Sequence, residues 1–299
     1  MWFALALLSA LFLGFYDVLR KYSLNGNAVL PVLLVSTFTS SLMLAPVLWA
    51  SHAGLIDADS RVYVPPISGA MHLLLVAKAA IVLGSWIFVY YGLKHLPLSI
   101  VSPIRATAPI WTLAGALIIF AERPNGLQWA GLVVTFVFFY LFSTVGRREG
   151  INFGANRWVW SVVAGTLIGS ASALFDKYIV AGAGIPRMAI LTYYSFYQVL
   201  LLVPMLMVIW WPHRREQPFV WRWSVPCIGV VIIVADFVYY GAIDCDGALI
   251  SLISPLRRSN AVVAFAMAAL IFKERNMLRK GLCLLGIMAG IGLIVWGSL

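Results

Sequence analysis

The sequence predicts an all-α integral membrane protein with ten transmembrane helices in two inverted five-helix repeats, and three observations predict it. Of its 299 residues, 62% are hydrophobic and 11% charged, whereas about a quarter of the residues in a soluble domain are charged. Its apolar runs match the roughly 20 residues needed to cross about 30 Å of hydrocarbon. Three short segments of the first half also return, in the same order, in the second half.

The runs lie near 2-24, 28-50, 69-93, 98-121, 125-145, 157-181, 187-211, 223-243, 247-272 and 277-297, punctuated by charge, proline or glycine. The first charge is Asp17, so the first run lacks the positive start of a secretory signal and is expected to be a helix of the bundle. Residues 51-68, with Asp57, Asp59, Arg61, Pro65 and Pro66, form the first sizeable connection, and no attached soluble domain is expected. Connections after helices 1, 3, 5, 7 and 9 hold thirteen lysines and arginines, and the opposite connections hold four. Positive charge resists translocation. The richer side is therefore expected in the cytoplasm and both termini outside it, with the chain in a bacterial inner (plasma) membrane.

Several function classes fall away on composition. The net charge of +10 comes as pairs between apolar runs, not as one basic face, so the lipid bilayer and not nucleic acid is the expected surroundings. Cys227, Cys245 and Cys283 lack C-x-x-C spacing, which suggests neither zinc nor a disulfide framework. His52, His72, His95 and His213 are scattered without metal-ligand spacing. No hydrolase elbow, zinc-protease or phosphate-loop motif is present. No cofactor, no enzyme activity and no direct use of ATP are expected.

The repeat sets the architecture. Phe88-Val89-Tyr90-Tyr91-Gly92 returns as Phe237-Val238-Tyr239-Tyr240-Gly241, offset by 149 residues. Ser102-Pro103-Ile104-Arg105 returns as Ser254-Pro255-Leu256-Arg257, and Ile119-Phe120-Ala121-Glu122-Arg123 as Ile271-Phe272-Lys273-Glu274-Arg275, both offset by 152. Each half, 1-146 and 157-299, then has five spans, and an odd number makes the second half enter the membrane from the opposite side. Inverted repeats of this kind typify secondary transporters, whose site near the midplane opens alternately to either side.

Two five-helix halves, each with a Glu-Arg turn before a short final helix, resemble the EamA branch of the drug/metabolite transporter superfamily. The matching pieces are Leu96-Pro97-Leu98-Ser99 leading into Pro109-Ile110, the turns at Glu122-Arg123 and Glu274-Arg275, and the glycine-rich last helix around Gly286 and Gly290. The resemblance implies a ten-helix transporter with its cavity between the fourth and ninth helices and their neighbours. The chain departs from the family at Arg105 and Arg257, where the halves usually lack an arginine, so family substrates do not carry over.

Charges inside spans are the informative positions, because each costs about 2.5–3.5 kcal/mol on insertion scales. They are Lys78, Arg105, Asp236, Arg257 and Arg258. In the functional reading Arg105 and Arg257 project from opposite halves and clamp a carboxylate or phosphate by fork-like hydrogen bonding, with Arg258 and Lys78 beside them. In the structural reading these cations pair with Asp236 and with carbonyls freed by Pro103 and Pro255. Asp236 is expected to be a counter-ion, the alternative being a proton carrier, and Asp17 with Lys21 a local i,i+4 pair. Tyr90, Tyr91, Tyr239 and Tyr240 offer an apolar face with a polar tip. Ser102 and Ser254 precede prolines and serve as kink devices or ligand contacts. Gly286-x-x-x-Gly290 permits close helix approach within the chain.

The expected function is export of a small anionic metabolite by a secondary transporter, monomer or homodimer, working by alternating access. One alternative is a flippase-like carrier of an anionic lipid headgroup, such as a phospholipid or polyprenyl phosphate. Another is a membrane-embedded transferase holding a divalent metal at Asp244 and Asp246.

Overall fold

The computed structural model describes residues 1–96, 101, 104–105, 107–144, 156–260, 263 and 277–297. Among the described residues the chain forms ten α-helices and no strand: α1 (Trp2–Leu24), α2 (Val29–His52), α3 (Gly69–His95), α4 (Ala108–Ile119), α5 (Gly126–Thr144), α6 (Arg157–Lys177), α7 (Arg187–Met205), α8 (Ser224–Ile243), α9 (Ile250–Arg258) and α10 (Met277–Trp296). Hydrocarbon offers no partner to a peptide group, so apolar runs of this length close their hydrogen bonds internally. Six helical segments are long and apolar enough to span a bilayer, and Ala108–Ile119, Gly126–Phe138 and Gly281–Trp296 are shorter apolar ones. The chain is an integral membrane protein.

Helix ends follow local chemistry. The Ser68 hydroxyl accepts from the Met71 amide to start α3, and the Asn156 side chain accepts from the Trp158 amide to start α6. α6 and α7 continue into π turns, Tyr178–Gly182 and Leu206–Trp210, the latter just after Pro204. Arg20 and Lys21, counted above with a connection, lie inside α1.

Cross-chain contacts define the two ends of the bundle. At one end Arg222 donates to the Tyr22 carbonyl at 2.5 Å, Asn27 to that of Val220 at 2.8 Å, and Lys94 to the Gln217 side chain at 3.0 Å. Exposed Trp160, Trp211, Trp221 and Trp223 lie on the helix ends and connections there, as an aromatic belt does at a membrane interface. The other end gathers Met1, residues 58–65, Pro186 and Asp244 to Asp246.

Packing between helices has a regular order. α1 packs on α8 and α6 on α3; α2 packs on α8 and α7 on α3; α4 packs on α6 and α9 on α1. α2 also meets α7, α4 meets α9, and α5 meets α10. Small residues bring these pairs close. Ser9, Ser40 and Ser85 donate across helices to the carbonyls of Ala235, Gly229 and Gly165 at 2.7–2.9 Å. Gly286 and Gly290 of α10 face Phe138 and Thr135 of α5, which places that glycine pair in an intrachain seam.

The fourth and ninth spans read from the sequence begin earlier or run later than α4 and α9, because 97–100, 102–103 and 264–276 lie outside the described residues. Leu98, Ser99, Glu274 and Arg275 fall there.

A Cβ at Gly290 would sit 2.7 Å from the Thr135 nitrogen and 2.9 Å from the Gly131 oxygen, whereas one at Gly84 meets nothing within 4 Å. Gly290→Ala is expected to lower stability by about 1–3 kcal/mol, and Gly84→Ala to leave it unchanged or raise it. Melting of the detergent-purified variants, followed by tryptophan fluorescence, checks both.

Candidate functional site

Polar side chains buried in the bundle converge on one internal cavity of about 190 Å³. Its walls come from α1, α3, α6, α7, α8 and α9, with Arg105 just before α4. Three cation–carboxylate pairs line it.

The first links α3 to α6. Lys78 Nζ lies 2.5 Å from Asp176 Oδ1 and donates to the Ser172 hydroxyl at 2.6 Å. The Tyr239 and Tyr240 hydroxyls, from α8, donate to the two oxygens of the same carboxylate at 3.1 and 3.0 Å. Lys78 and Asp176 are 3% and 4% exposed, and this set of donors offsets the desolvation of both charges.

The second joins α8 and α9. Arg257 donates to Asp236 at 2.7 Å and to the Ser9 hydroxyl at 3.1 Å, while its guanidinium sits 3.7 Å from the centre of the Tyr239 ring. Asp236 thus pairs with Arg257 of the neighbouring helix. The third pair lies on α1, where Arg20 donates to Asp17 at 2.7 Å and Asn260 donates to the other carboxylate oxygen at 2.5 Å. Arg20 also lies over the rings of Tyr16 and Tyr90, whose hydroxyls are 3.1 Å apart. Asp17 is therefore engaged by Arg20, one residue closer in sequence than the Lys21 expected from spacing.

The charge count is uneven. Arg20, Lys78, Arg105, Arg257 and Arg258 line the cavity, against Asp17, Asp176 and Asp236. Among the described residues, Arg105 and Arg258 make no hydrogen bond or ion pair. The geometry thus divides the arginines differently from the clamp expected above: Arg257 is committed to Asp236, and its neighbour Arg258 is the one without a partner, alongside Arg105.

The other residues singled out divide as follows. Tyr90, Tyr239, Tyr240 and Ser254 line the cavity, and Tyr91 is not among its lining. Ser102 lies outside the described residues. Asp244 and Asp246 line a separate, more open pocket of about 1070 Å³ at the Met1 end, together with Arg61 and Arg187. No three His, Cys, Asp or Glu side chains among the described residues converge as a metal site.

Sequence reasoning did not single out Asp176, Arg20, Tyr16 and Tyr194 as site residues, and it treated Glu122 only as part of a turn. Glu122 ties both halves together. It accepts from the Ile250 and Ser251 amides at 2.9 and 3.0 Å and from the Ser251 hydroxyl, capping α9, and pairs with Lys177 at 2.5 Å. That cap fixes the start of the helix whose last turn carries Arg257 and Arg258. A carboxylate recurring at Glu122 and Glu274 was the available signal.

The chain is thus an all-helical integral membrane protein with a polar interior. Residues 1–144 match the model of the EamA-like transporter family, so this part of the chain carries an EamA domain, of a family of membrane transporters. The crystal structure of a protein 14% identical to this chain aligns over 98% of both chains with a TM-score of 0.74, which shows a shared fold. No curated protein matches.

Breaking the Lys78 pair from either side should leave a buried charge uncompensated. Lys78→Met and Asp176→Asn are each expected to cost about 3–5 kcal/mol, and the double variant less than the sum of the two. Chemical denaturation of the four proteins in detergent measures the coupling.

Proposed function

We propose that the protein is a secondary transporter of a small anion bearing a carboxylate or phosphate, moving it outward across a bacterial inner membrane by alternating access. The observation that carries this reading is the pair of arginines, Arg105 and Arg258, that line the cavity while all three cavity carboxylates are engaged by other cations. Guanidinium groups present planar forks of donors suited to carboxylate and phosphate oxygens. Tyr16, Tyr90 and Tyr194 add apolar faces with hydroxyl tips for the remainder of the solute.

In this reading the ten helices are ten spans and the halves 1-146 and 157-299 are inverted repeats. The packing order supports it, since exchanging each helix for the one five places along turns every packing pair named above into another of them or into itself. So does the direction of travel: α1 runs from the Met1 end to the Arg222 end, whereas α6 starts where Trp158 stacks on His95 and finishes at Lys177 beside Ala248, next to the Met1 end. Lys94, Arg157, Arg214, Arg215 and Arg222 cluster at the end opposite Met1, which supports placing that end in the cytoplasm.

Binding and folding make opposite demands on neighbouring arginines. Arg105→Ala and Arg258→Ala each remove a cation that pairs with no carboxylate among the described residues, so melting without ligand should stay the same or rise. Arg257→Ala orphans Asp236 and should cost about 1–3 kcal/mol. A thermal-stability screen with short organic acids and phosphates tests the reading, because a ligand at 100 times its Kd adds about 2.7 kcal/mol. Stabilisation of the wild type by an anion, lost in Arg258→Ala, is the expected result. Stabilisation by neutral solutes only, or anion stabilisation undiminished in Arg105→Ala and Arg258→Ala, would refute it.

A further inference from the structure

We propose that the open pocket at the Met1 end binds the phosphoethanolamine headgroup of a zwitterionic phospholipid, its phosphate on Arg61 and Arg187 and its ammonium on Asp244 and Asp246. The site is separate from the central cavity and does not depend on what that cavity carries. Every residue lining it falls within 1–96 or 156–260, among the described residues. Its depth in the bilayer suits a headgroup. α1 and α7 start at this pocket and α8 ends at it, so it lies where three apolar segments reach the polar surface of the membrane.

Charges in this pocket are held apart, whereas those of the central cavity mostly pair. Among the described residues the side chains of Arg61, Arg187, Asp244 and Asp246 make no hydrogen bond or ion pair, although all four line one space of about 1070 Å³. Two cations and two carboxylates that share a pocket without touching are answered together by a group that carries both signs. Helix ends sort those signs. α7 begins at Arg187 with no side-chain cap, so its first amides add positive charge where a phosphate is favoured. α8 closes at Ile243, and its last carbonyls add negative charge beside Asp244, where an ammonium is favoured. Arg187 has a fixed seat: its guanidinium lies 4.9 Å from the centre of the Phe237 ring, and a Cβ at Gly241 would stand 3.2 Å from it.

An apolar track leads away from the pocket into the bilayer. Leu5 is part of the lining, and the exposed Leu8, Leu11 and Phe15 follow it along one side of α1, a length of about 15 Å from Leu5 at 1.5 Å per residue. A soluble zwitterion has no use for such a track, whereas an acyl chain lies along it. The occupant is therefore a lipid and not a free phosphoamine.

Native mass spectrometry of the full-length protein in detergent tests this with dioleoyl phosphatidylethanolamine, dioleoyl phosphatidylglycerol and soluble O-phosphoethanolamine. The two lipids share chains and phosphate and differ in the ammonium. One phosphatidylethanolamine should be retained at least about tenfold more tightly than phosphatidylglycerol, the effect of one charge-assisted hydrogen bond, and O-phosphoethanolamine should not be retained at the same concentration. Asp244→Asn combined with Asp246→Asn should reduce phosphatidylethanolamine to the level of phosphatidylglycerol, and Arg187→Gln should weaken both lipids. Both aspartates are exposed, so the doubly substituted protein should melt like the wild type. Equal retention of the two lipids, or of neither, overturns the zwitterionic site. A preference that survives the double aspartate substitution, or lipid binding unchanged in Arg187→Gln, overturns its location. Retention of O-phosphoethanolamine as tight as that of the lipid overturns the lipid as occupant.

Discussion

A charge inside a bilayer is costly unless another group answers it, and the organisation of this site follows from how, among the described residues, three carboxylates are shared between five cations. Asp176 is the most heavily used of the three. Its two oxygens receive Lys78 from α3 and Tyr239 and Tyr240 from α8, while the residue itself sits on α6, so one carboxylate knits three helices. Asp236 and Asp17 anchor Arg257 and Arg20 in the same way, and the two cations left over, Arg105 and Arg258, are available to a solute.

Small residues make that arrangement possible. Ser9, Ser40 and Ser85 hydrogen-bond directly to backbone carbonyls of facing helices, and Gly229 leaves no space for a Cβ against the Ser36 carbonyl. Helices held this closely bring short acidic side chains within reach of partners on neighbouring helices. Glu122 completes the scaffold from outside the cavity, because it caps α9 and holds Lys177 of α6. Its carboxylate thus connects the chain following α4 to the helix that bears the unpaired arginine.

Much of the fold was legible in the sequence, because hydrophobic run length is a direct record of bilayer thickness. Mid-span charge was legible for the same reason, and Lys78, Arg105, Asp236, Arg257 and Arg258 all line the cavity. Pairing was not, since it depends on contacts between helices far apart in the chain. Asp176 and Lys177 are neighbours in sequence, yet the partner of Asp176 is 98 residues away on α3 and Lys177 turns to Glu122. Arg257 and Arg258 are adjacent, and only the position of α8 decides that the first meets Asp236. Tyr91 repeats in sequence with Tyr240, but the cavity takes up Tyr90 and not Tyr91, whereas Tyr239 and Tyr240 both line it.

The central claim is that Arg105 and Arg258 together form the anion site. A structure determined in selenate, a tetrahedral dianion with an anomalous signal, tests it most directly. The account predicts one strong peak in the central cavity with oxygens about 2.7–3.2 Å from both guanidinium groups. A cavity without a peak, or selenate held only by Arg61 and Arg187 in the open pocket at the Met1 end, would contradict it.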